Sequence, residues 1–360
     1  MLPGLLSSNV CSLQPGVDRK AVTVEMELDD GGRVRHARFY CSLIRSDRRM
    51  DYEGLEEVFQ GGRRSDAELG AALALGRPLA QRLRQNRLDR GSLRITSTEP
   101  EFHWGADGEV VAAHPSEELE SHHFIEEYMI LANEQVAGHL EREHVPTVYR
   151  VHEPPDPFRV DYLFDLLSSL DVPTPVFDAL AATPHEVRRA VNEAIDLIDS
   201  IVLKGRGRAA LEQQVLRAQS RAVYHTRNLG HFGLASTTYC HFTSPIRRYP
   251  DLLVHRGLLG RLGLGPEPAT STLEEWAEHC SRMEREAAKV ELKADDIALA
   301  HLLRRRLGED GWDQVFHGQI LSFVRSGAFV LFDRLFQGFL PARELPGDYY
   351  ELDEIGRAHV

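Results

Sequence analysis

The chain opens on an alternating stretch. Ala21-Val22-Thr23-Val24-Glu25-Met26-Glu27-Leu28 alternates apolar and polar positions, Asp29-Asp30-Gly31-Gly32 has turn composition, and apolar positions return from Val34 to Leu43. The pattern predicts a β-hairpin over 20–45, with Asp29-Asp30 as turn chemistry and not a metal site. Leu55, Val58 and Phe59 then mark one helical face and Leu69, Leu73, Leu75 and Leu79 another, so residues 54–90 are predicted helical with a break at Gly61-Gly62. Two strands are expected around 93–97 and 110–113. Ile125, Met129, Ala132, Val136 and Leu140 recur at spacings of three and four, which predicts an amphipathic helix over 116–141 with Ser116 as its cap. Pro154-Pro155-Asp156-Pro157 reads as a surface turn. Further helices are predicted over 159–170, 184–202, 209–220, 246–262 and 273–306, the last with capping-box spacing at Ser271 and Glu274.

Gly308 to Gly311 marks a change of texture. Beyond it come short strands over 315–324, 328–332 and 338–341, crowded with Phe316, Phe323, Phe329, Phe332, Phe336 and Phe339. Small antiparallel barrels of the OB type have this pattern, and they bind single strands by stacking bases on exposed rings. Most of these phenylalanines are expected in the barrel core; Phe329 is expected to meet RNA. The fold class is therefore α+β, with a first domain over 1–308 and a small barrel over 312–360.

With 360 residues the chain can bury a sizeable core. It has no apolar run near the roughly 18 residues of a membrane span, and its start lacks the basic and apolar regions of a signal peptide. Cys11, Cys41, Cys240 and Cys280 form no CxxC pair, so neither a disulfide framework nor a zinc site is suggested and a cytoplasmic location fits. The net charge of -13 argues mildly against nucleic acid, but the charge is uneven. Residues 151–200 are strongly acidic, whereas residues 201–260 carry Lys204, Arg206, Arg208, Arg217, Arg221, Arg227, Arg247, Arg248 and Arg256 against Glu212 and Asp251. Such asymmetry suits a channel that admits a polyanion; a helix with a solvated basic face is the alternative.

The chemistry concentrates in His231-Phe232-Gly233-Leu234-Ala235 and in His241-Phe242-Thr243-Ser244-Pro245-Ile246-Arg247-Arg248-Tyr249-Pro250-Asp251, ending at His255-Arg256. Ser244-Pro245 is a good helix start, and a helix N-terminus with Arg247 and Arg248 in its first turn would attract phosphate. Arg248, Asp251 and His255 would then share one face. An amphipathic helix with a surface salt bridge accounts for the same residues.

These two motifs, taken together, resemble the signature of the ribonuclease II/R family of RNB exoribonucleases, and most closely its ribonuclease R members. Met1-Leu2-Pro3, Leu6-Ser7, Cys11-Ser12-Leu13, Phe124-Ile125-Glu126-Glu127, Met129-Ile130-Leu131-Ala132-Asn133 and His279-Cys280-Ser281 follow in family order, and the tail from about 313 is similar to the first strands of an S1 domain. The resemblance implies a C-terminal part of an RNB-type nuclease domain followed by a partial S1 (OB-fold) β-barrel. It implies processive 3′-to-5′ hydrolysis of single-stranded RNA to nucleoside 5′-monophosphates by a monomeric, magnesium-dependent enzyme. Arg247 then corresponds to the arginine that stabilises charge on the scissile phosphate. Glu126 corresponds to the carboxylate that meets a ribose 2′-hydroxyl, and Tyr52 to an aromatic residue at the same end of the channel. His241, Ser244, Arg248, Tyr249 and His255 of the signature are expected to line the RNA path.

Departures from the family pattern shape these expectations. The D-x5-D-x-D-D cluster that holds magnesium is absent: Asp29-Asp30 and Asp295-Asp296 lack the spacing. The chain is therefore expected to start inside a nuclease domain, to end inside a barrel, and to be inactive by itself. Ile95 stands where a stacking Phe is common, and Pro341 where S1 domains often carry His. Residues 354–360 also read as a translation of sequencing-adapter DNA, although Ile355-Gly356 suits the family. Two other readings are carried forward: an RNA-binding protein without cleavage, and a metal hydrolase using His231, His241 and His255, whose spacing fits no zinc pattern.

Overall fold

In a computed structural model the described residues are 3–94, 99–202, 207–266, 268–345, 351–352 and 358–359. In chain order the elements are β1 (Asp18–Leu28), β2 (Val34–Arg45), α1 (Tyr52–Phe59), α2 (Ala67–Asp89), β3 (Pro100–Trp104), β4 (Val110–Pro115), α3 (Glu120–Arg142), β5 (Tyr149–Val151), α4 (Pro157–Ser168), α5 (Pro184–Val202), α6 (Arg208–Ala218), β6 (Val223–His225), α7 (Tyr249–Arg261), α8 (Thr270–Asp310), β7 (Gly318–Val324), β8 (Gly327–Phe332) and β9 (Phe336–Pro341). Two compact units interleave along the sequence. One comprises Met1–Ser92, Glu118–Glu153 and Arg221–Met283; the other comprises Leu93–Glu117, Pro154–Ser220 and Glu284–Val360.

The first unit is built on the β1–β2 hairpin, whose antiparallel register sets Val24 opposite Phe39. Its turn is closed by Asp29, whose Oδ1 accepts from the amides of Gly31 and Arg33 while Oδ2 meets Arg35 at 2.8 Å. Asp51 and Asp66 accept from Gly54 and Leu69 amides, each at 2.8 Å, and so start α1 and α2. The core gathers Val136, Ala137 and Leu140 of α3, Val148, Tyr149 and Val151, and Leu253, Val254 and Leu258 of α7. It also takes in Leu273 and Ala277 from the first turns of α8. Burying each large side chain contributes about 1.5–3 kcal/mol. Helix α7 lies so close to the 145–147 loop that a Cβ at Gly257 would stand 3.1 Å from the Pro146 carbonyl oxygen.

In the second unit α4, α5 and α6 pack together through fully or nearly fully buried Val160, Leu163, Leu167, Val187, Val191, Ile198, Leu211 and Val215. Asp156 starts α4 by accepting from the Phe158 amide at 3.0 Å, with Pro157 in the first turn. Strands β7, β8 and β9 form an antiparallel meander in that order. Phe336 of the meander, Val110 of β4 and Leu302 of α8 share a small core, and Arg305 donates to the Val111 carbonyl at 2.8 Å.

Most predicted helices and the hairpin are present, and mixed helix and strand content matches the expected class. Residues 95–97 of the strand predicted at 93–97, Ile95 included, lie outside the described residues, and β4 pairs with β3, which begins at Pro100. Two boundaries differ for physical reasons. Ser116 does not cap α3; its amide donates to the Glu99 carbonyl and its Oγ accepts from the Glu99 amide, closing the β3–β4 hairpin. Helix α3 starts at Glu120 instead, where His122 Nδ1 accepts from the Leu119 amide at 3.3 Å. Ser271 lies inside α8, which begins one residue earlier.

Candidate nucleic-acid interface

Neighbouring glutamates on α3 have opposite fates because successive helix positions are turned by about 100°. Glu127 is buried and grips buried Arg87, whose Nη2 and Nε reach its Oε1 at 2.6 and 3.1 Å. Glu126 points outward with 42% of its side chain exposed, and accepts from His123 Nδ1 at 3.2 Å. One turn earlier His122 meets the edge of Tyr52, the first residue of α1, with ring centroids 4.3 Å apart. Tyr52 and Glu126 thus belong to one strip of α3 and its neighbour, as the i, i+4 spacing of His122 and Glu126 requires.

The 241–256 segment departs from the helix predicted from Ser244. Residues 245–247 form a turn in which the amides of Arg247 and Arg248 donate to the Ser244 carbonyl at 3.3 and 3.1 Å. Helix α7 begins only at Tyr249, with Arg248 in extended conformation. A helix running through 246–250 would need an amide at position 250 to reach the Ile246 carbonyl, and Pro250 has none. Arg247 and Arg248 therefore precede the helix and do not sit in its first turn. They also part company. Arg248 makes a fork on Asp251, Nε to Oδ2 and Nη2 to Oδ1 at 2.9 Å each, and Asp251 Oδ1 also accepts from the Ser244 amide at 2.7 Å. Asp251 is 0% exposed, so the predicted surface salt bridge is a buried clasp. Arg247 is exposed, and no carboxylate pairs with it among the described residues.

The histidines serve this loop as neutral groups. The His255 ring stacks on Phe242 at 4.1 Å, and its Nε2–H donates to the Phe242 carbonyl at 3.0 Å. Burial lowers its pKa. His241 Nδ1 pairs with the Tyr224 hydroxyl at 2.9 Å. Burial, then the charges of Arg248, Arg150, His231 and Arg247, press its pKa down to about 2. His231 falls to about 3 through burial, His152 and Arg150. Tyr249 lies against Trp276, with ring centroids 4.9 Å apart, and its hydroxyl accepts from Arg256 at 3.2 Å. In the His231–Ala235 turn the Gly233 amide donates to His152 Nδ1 at 3.0 Å; a Cβ there would come within 2.9 Å of that nitrogen, so glycine is required by close approach.

Several contributors were not singled out in the sequence. Arg150 and His152 alternate with buried Val151 at β5, and the guanidinium of Arg150 lies 4.7 Å from the Tyr224 ring centroid. The period-2 pattern of 149–152 was the available signal. Asn133 is buried, donates through Nδ2 to the Tyr239 hydroxyl at 3.0 Å and accepts at Oδ1 from the Phe242 amide at 3.0 Å. Nothing in its spacing announced that role.

The basic stretch 201–260 is divided between the two units. Lys204 and Arg206 lie outside the described residues, Arg208 and Arg217 belong to the second unit, and Arg221, Arg227, Arg247, Arg248 and Arg256 belong to the first. Arg208 is engaged by Asp199 and Glu212 at 2.8 and 2.6 Å. In the second unit Phe329 of β8 faces Phe339 of β9 across the ladder. Their rings are 5.3 Å apart and both residues are over two fifths exposed. Phe336 turns into the core and stacks on Phe332.

Among the described residues no three His, Cys, Asp or Glu side chains come together as a metal-holding group. The buried carboxylates Asp251 and Glu127 are each engaged by an arginine. The donors present therefore do not fit a magnesium pair. No described helix is long and apolar enough to cross a membrane.

A family model described as the RNB domain matches residues 1–262. Ribonuclease R of Aquifex aeolicus is 36% identical over 364 residues, which cover 98% of this chain and 49% of the relative. Ribonuclease R of Escherichia coli is 30% identical, covering 99% of this chain and 44% of its own length. The chain thus spans about half the length of the curated relatives it matches. Among solved structures, Mycoplasma genitalium RNase R in complex with ribose methylated single-stranded RNA superposes with a TM-score of 0.85 at 25% identity, covering 98% of this chain and 55% of that one.

Proposed function

This chain belongs to the RNB family, and from that premise we propose that it supplies the RNA-holding face of a processive 3′-to-5′ exoribonuclease. The substrate class is single-stranded RNA, the products are nucleoside 5′-monophosphates, and the enzyme acts as a cytoplasmic monomer. The observation that carries this reading is that one helix, α3, bears outward-facing Glu126 one turn from His122, which meets Tyr52, and also anchors the loop that exposes Arg247. In this reading Glu126 accepts from a ribose 2′-hydroxyl, Tyr52 lies along the same sugar, and Arg247 meets a backbone phosphate. Arg248, Ser244, His241, His255 and Tyr249 support the loop from beneath through the contacts described above. Residues 1–308 are read as nuclease domain and 312–360 as a partial S1 barrel, where the Phe329–Phe339 pair offers a stacking platform.

Magnesium is the cofactor expected of such an enzyme, but the carboxylates of the described residues do not fit it, and no step is assigned to a metal here. That observation also favours a second reading, RNA binding without cleavage. Incubating the chain with magnesium and a uniformly labelled single-stranded RNA separates the two questions. The expected result is salt-sensitive binding and no release of mononucleotides; metal-dependent release would overturn the reading of the donor set. Arg247→Ala should weaken RNA binding about tenfold, the effect of losing one charge-assisted phosphate contact, and lessen the salt slope by about 0.7. Its melting temperature should stay unchanged. Duplex DNA bound as tightly as RNA would count against the role of Glu126.

A further inference from the structure

We infer that Asn133 is a positioning residue that holds the Arg247 loop in register with Glu126. This rests on the reading of Arg247 as a phosphate-holding arginine. Asn133 is 3% exposed and lies seven residues after Glu126, which is two turns along the same side of α3. Its side chain reaches the 239–242 segment twice, donating to the Tyr239 hydroxyl and accepting from the Phe242 amide, both at 3.0 Å. Its backbone carbonyl accepts a third contact, from Cys240 Sγ at 3.4 Å. Three links, to Tyr239, Cys240 and Phe242, tie one residue of the helix to the entry of the loop.

From Phe242 the chain has only five residues to Arg247, and its next fixed point is the Ser244 amide on Asp251. The loop that exposes Arg247 is therefore fastened by Asn133 on one flank and by Asp251 on the other. Asp251 belongs to α7 and fixes the shape of the turn. Asn133 belongs to the helix of Glu126 and fixes the turn's distance from that carboxylate. An RNA-holding site needs this second constraint, because phosphate and 2′-hydroxyl of neighbouring nucleotides lie at a set spacing, and an arginine free to drift could meet the first without the second. An asparagine suits the post: it has a donor and an acceptor on one rigid plane, so it can satisfy a hydroxyl and an amide at once without bringing a charge into the core.

The test is a double-mutant cycle on affinity for single-stranded RNA, measured with the full chain and normalised to the folded fraction from circular dichroism. Asn133→Ala should weaken binding about tenfold in the otherwise unaltered chain, and less than twofold in the Arg247→Ala background, since a positioning residue has nothing left to position. Tyr239→Phe, which removes one link and keeps the ring, should fold normally and show the same dependence at smaller amplitude. Equal losses in both backgrounds would overturn the proposal and leave Asn133 as general support for the core. If Arg247→Ala alone leaves affinity unchanged, it is the reading of Arg247 that fails, and the cycle distinguishes that from a failure of Asn133.

Discussion

Asp251→Ala is expected to cost the first unit about 3–5 kcal/mol of stability, the loss typical when one partner of a buried ion pair is removed. The carboxylate is fully buried and accepts three hydrogen bonds, from the Ser244 amide at 2.7 Å and from Nε and Nη2 of Arg248 at 2.9 Å each. Truncation leaves the guanidinium half-buried without its counter-charge and an amide without its acceptor, and the desolvation of both is then uncompensated. A calorimetric scan should show the melting temperature lowered by on the order of ten degrees. Asp251→Asn keeps one acceptor and should lose less. A melting temperature for Asp251→Ala within two or so degrees of the parent would show that the clasp adds little.

Acid should weaken the same region well before carboxylates of ordinary pKa are protonated. His231 and His241 have folded pKa values of about 3 and about 2 against an ordinary 6.5, because burial and nearby arginines disfavour their charged forms. Between those values and 6.5 the unfolded chain binds protons that the folded chain refuses, so stability rises with pH across that window. It is fully present above pH 6.5 and is lost progressively as pH falls toward 2–3. At pH 5 each group is about 1.5 units below its unfolded pKa, worth about 2 kcal/mol, and partial solvent access reduces the sum to about 2–4 kcal/mol. Urea midpoints at pH 7.5 and pH 5.0 should differ accordingly, and His241→Asn should remove about half of the difference. Coinciding midpoints would mean that these rings are hydrated in solution.

How much of this was legible beforehand depends on the range of the interaction. Helices α3 to α6 and the β1–β2 hairpin were readable because periodicity and turn composition are local. The start of α7 was misjudged although its signal was local too: Pro250 forbids the bond that a helix from Ser244 would need. The two arginines of the loop look equivalent in sequence, yet Asp251 makes one a structural element and leaves the other exposed. The Arg87–Glu127 pair joins positions 40 residues apart, and Asn133 reaches segments over 100 residues away. Such partnerships depend on where separate elements meet, and no window of sequence contains them. Tyr52 and Glu126 were reachable only through the family signature, since each is unremarkable by spacing, whereas Arg247 was also marked by its place just after Ser244-Pro245.

The interleaving of the two units bears on how the chain can be made and handled. Each unit is stitched from three separate stretches, with returns to the first unit at Glu118 and Arg221. During synthesis the first unit cannot be complete until residue 283 has left the ribosome, by which time two of the second unit's stretches are already waiting. Helix α7, which packs into the core around Val136 and Leu140, arrives more than 100 residues after them. Subcloning inherits the same constraint: no single cut point excises either unit, and a boundary drawn anywhere between residues 93 and 283 strands part of at least one of them on each side.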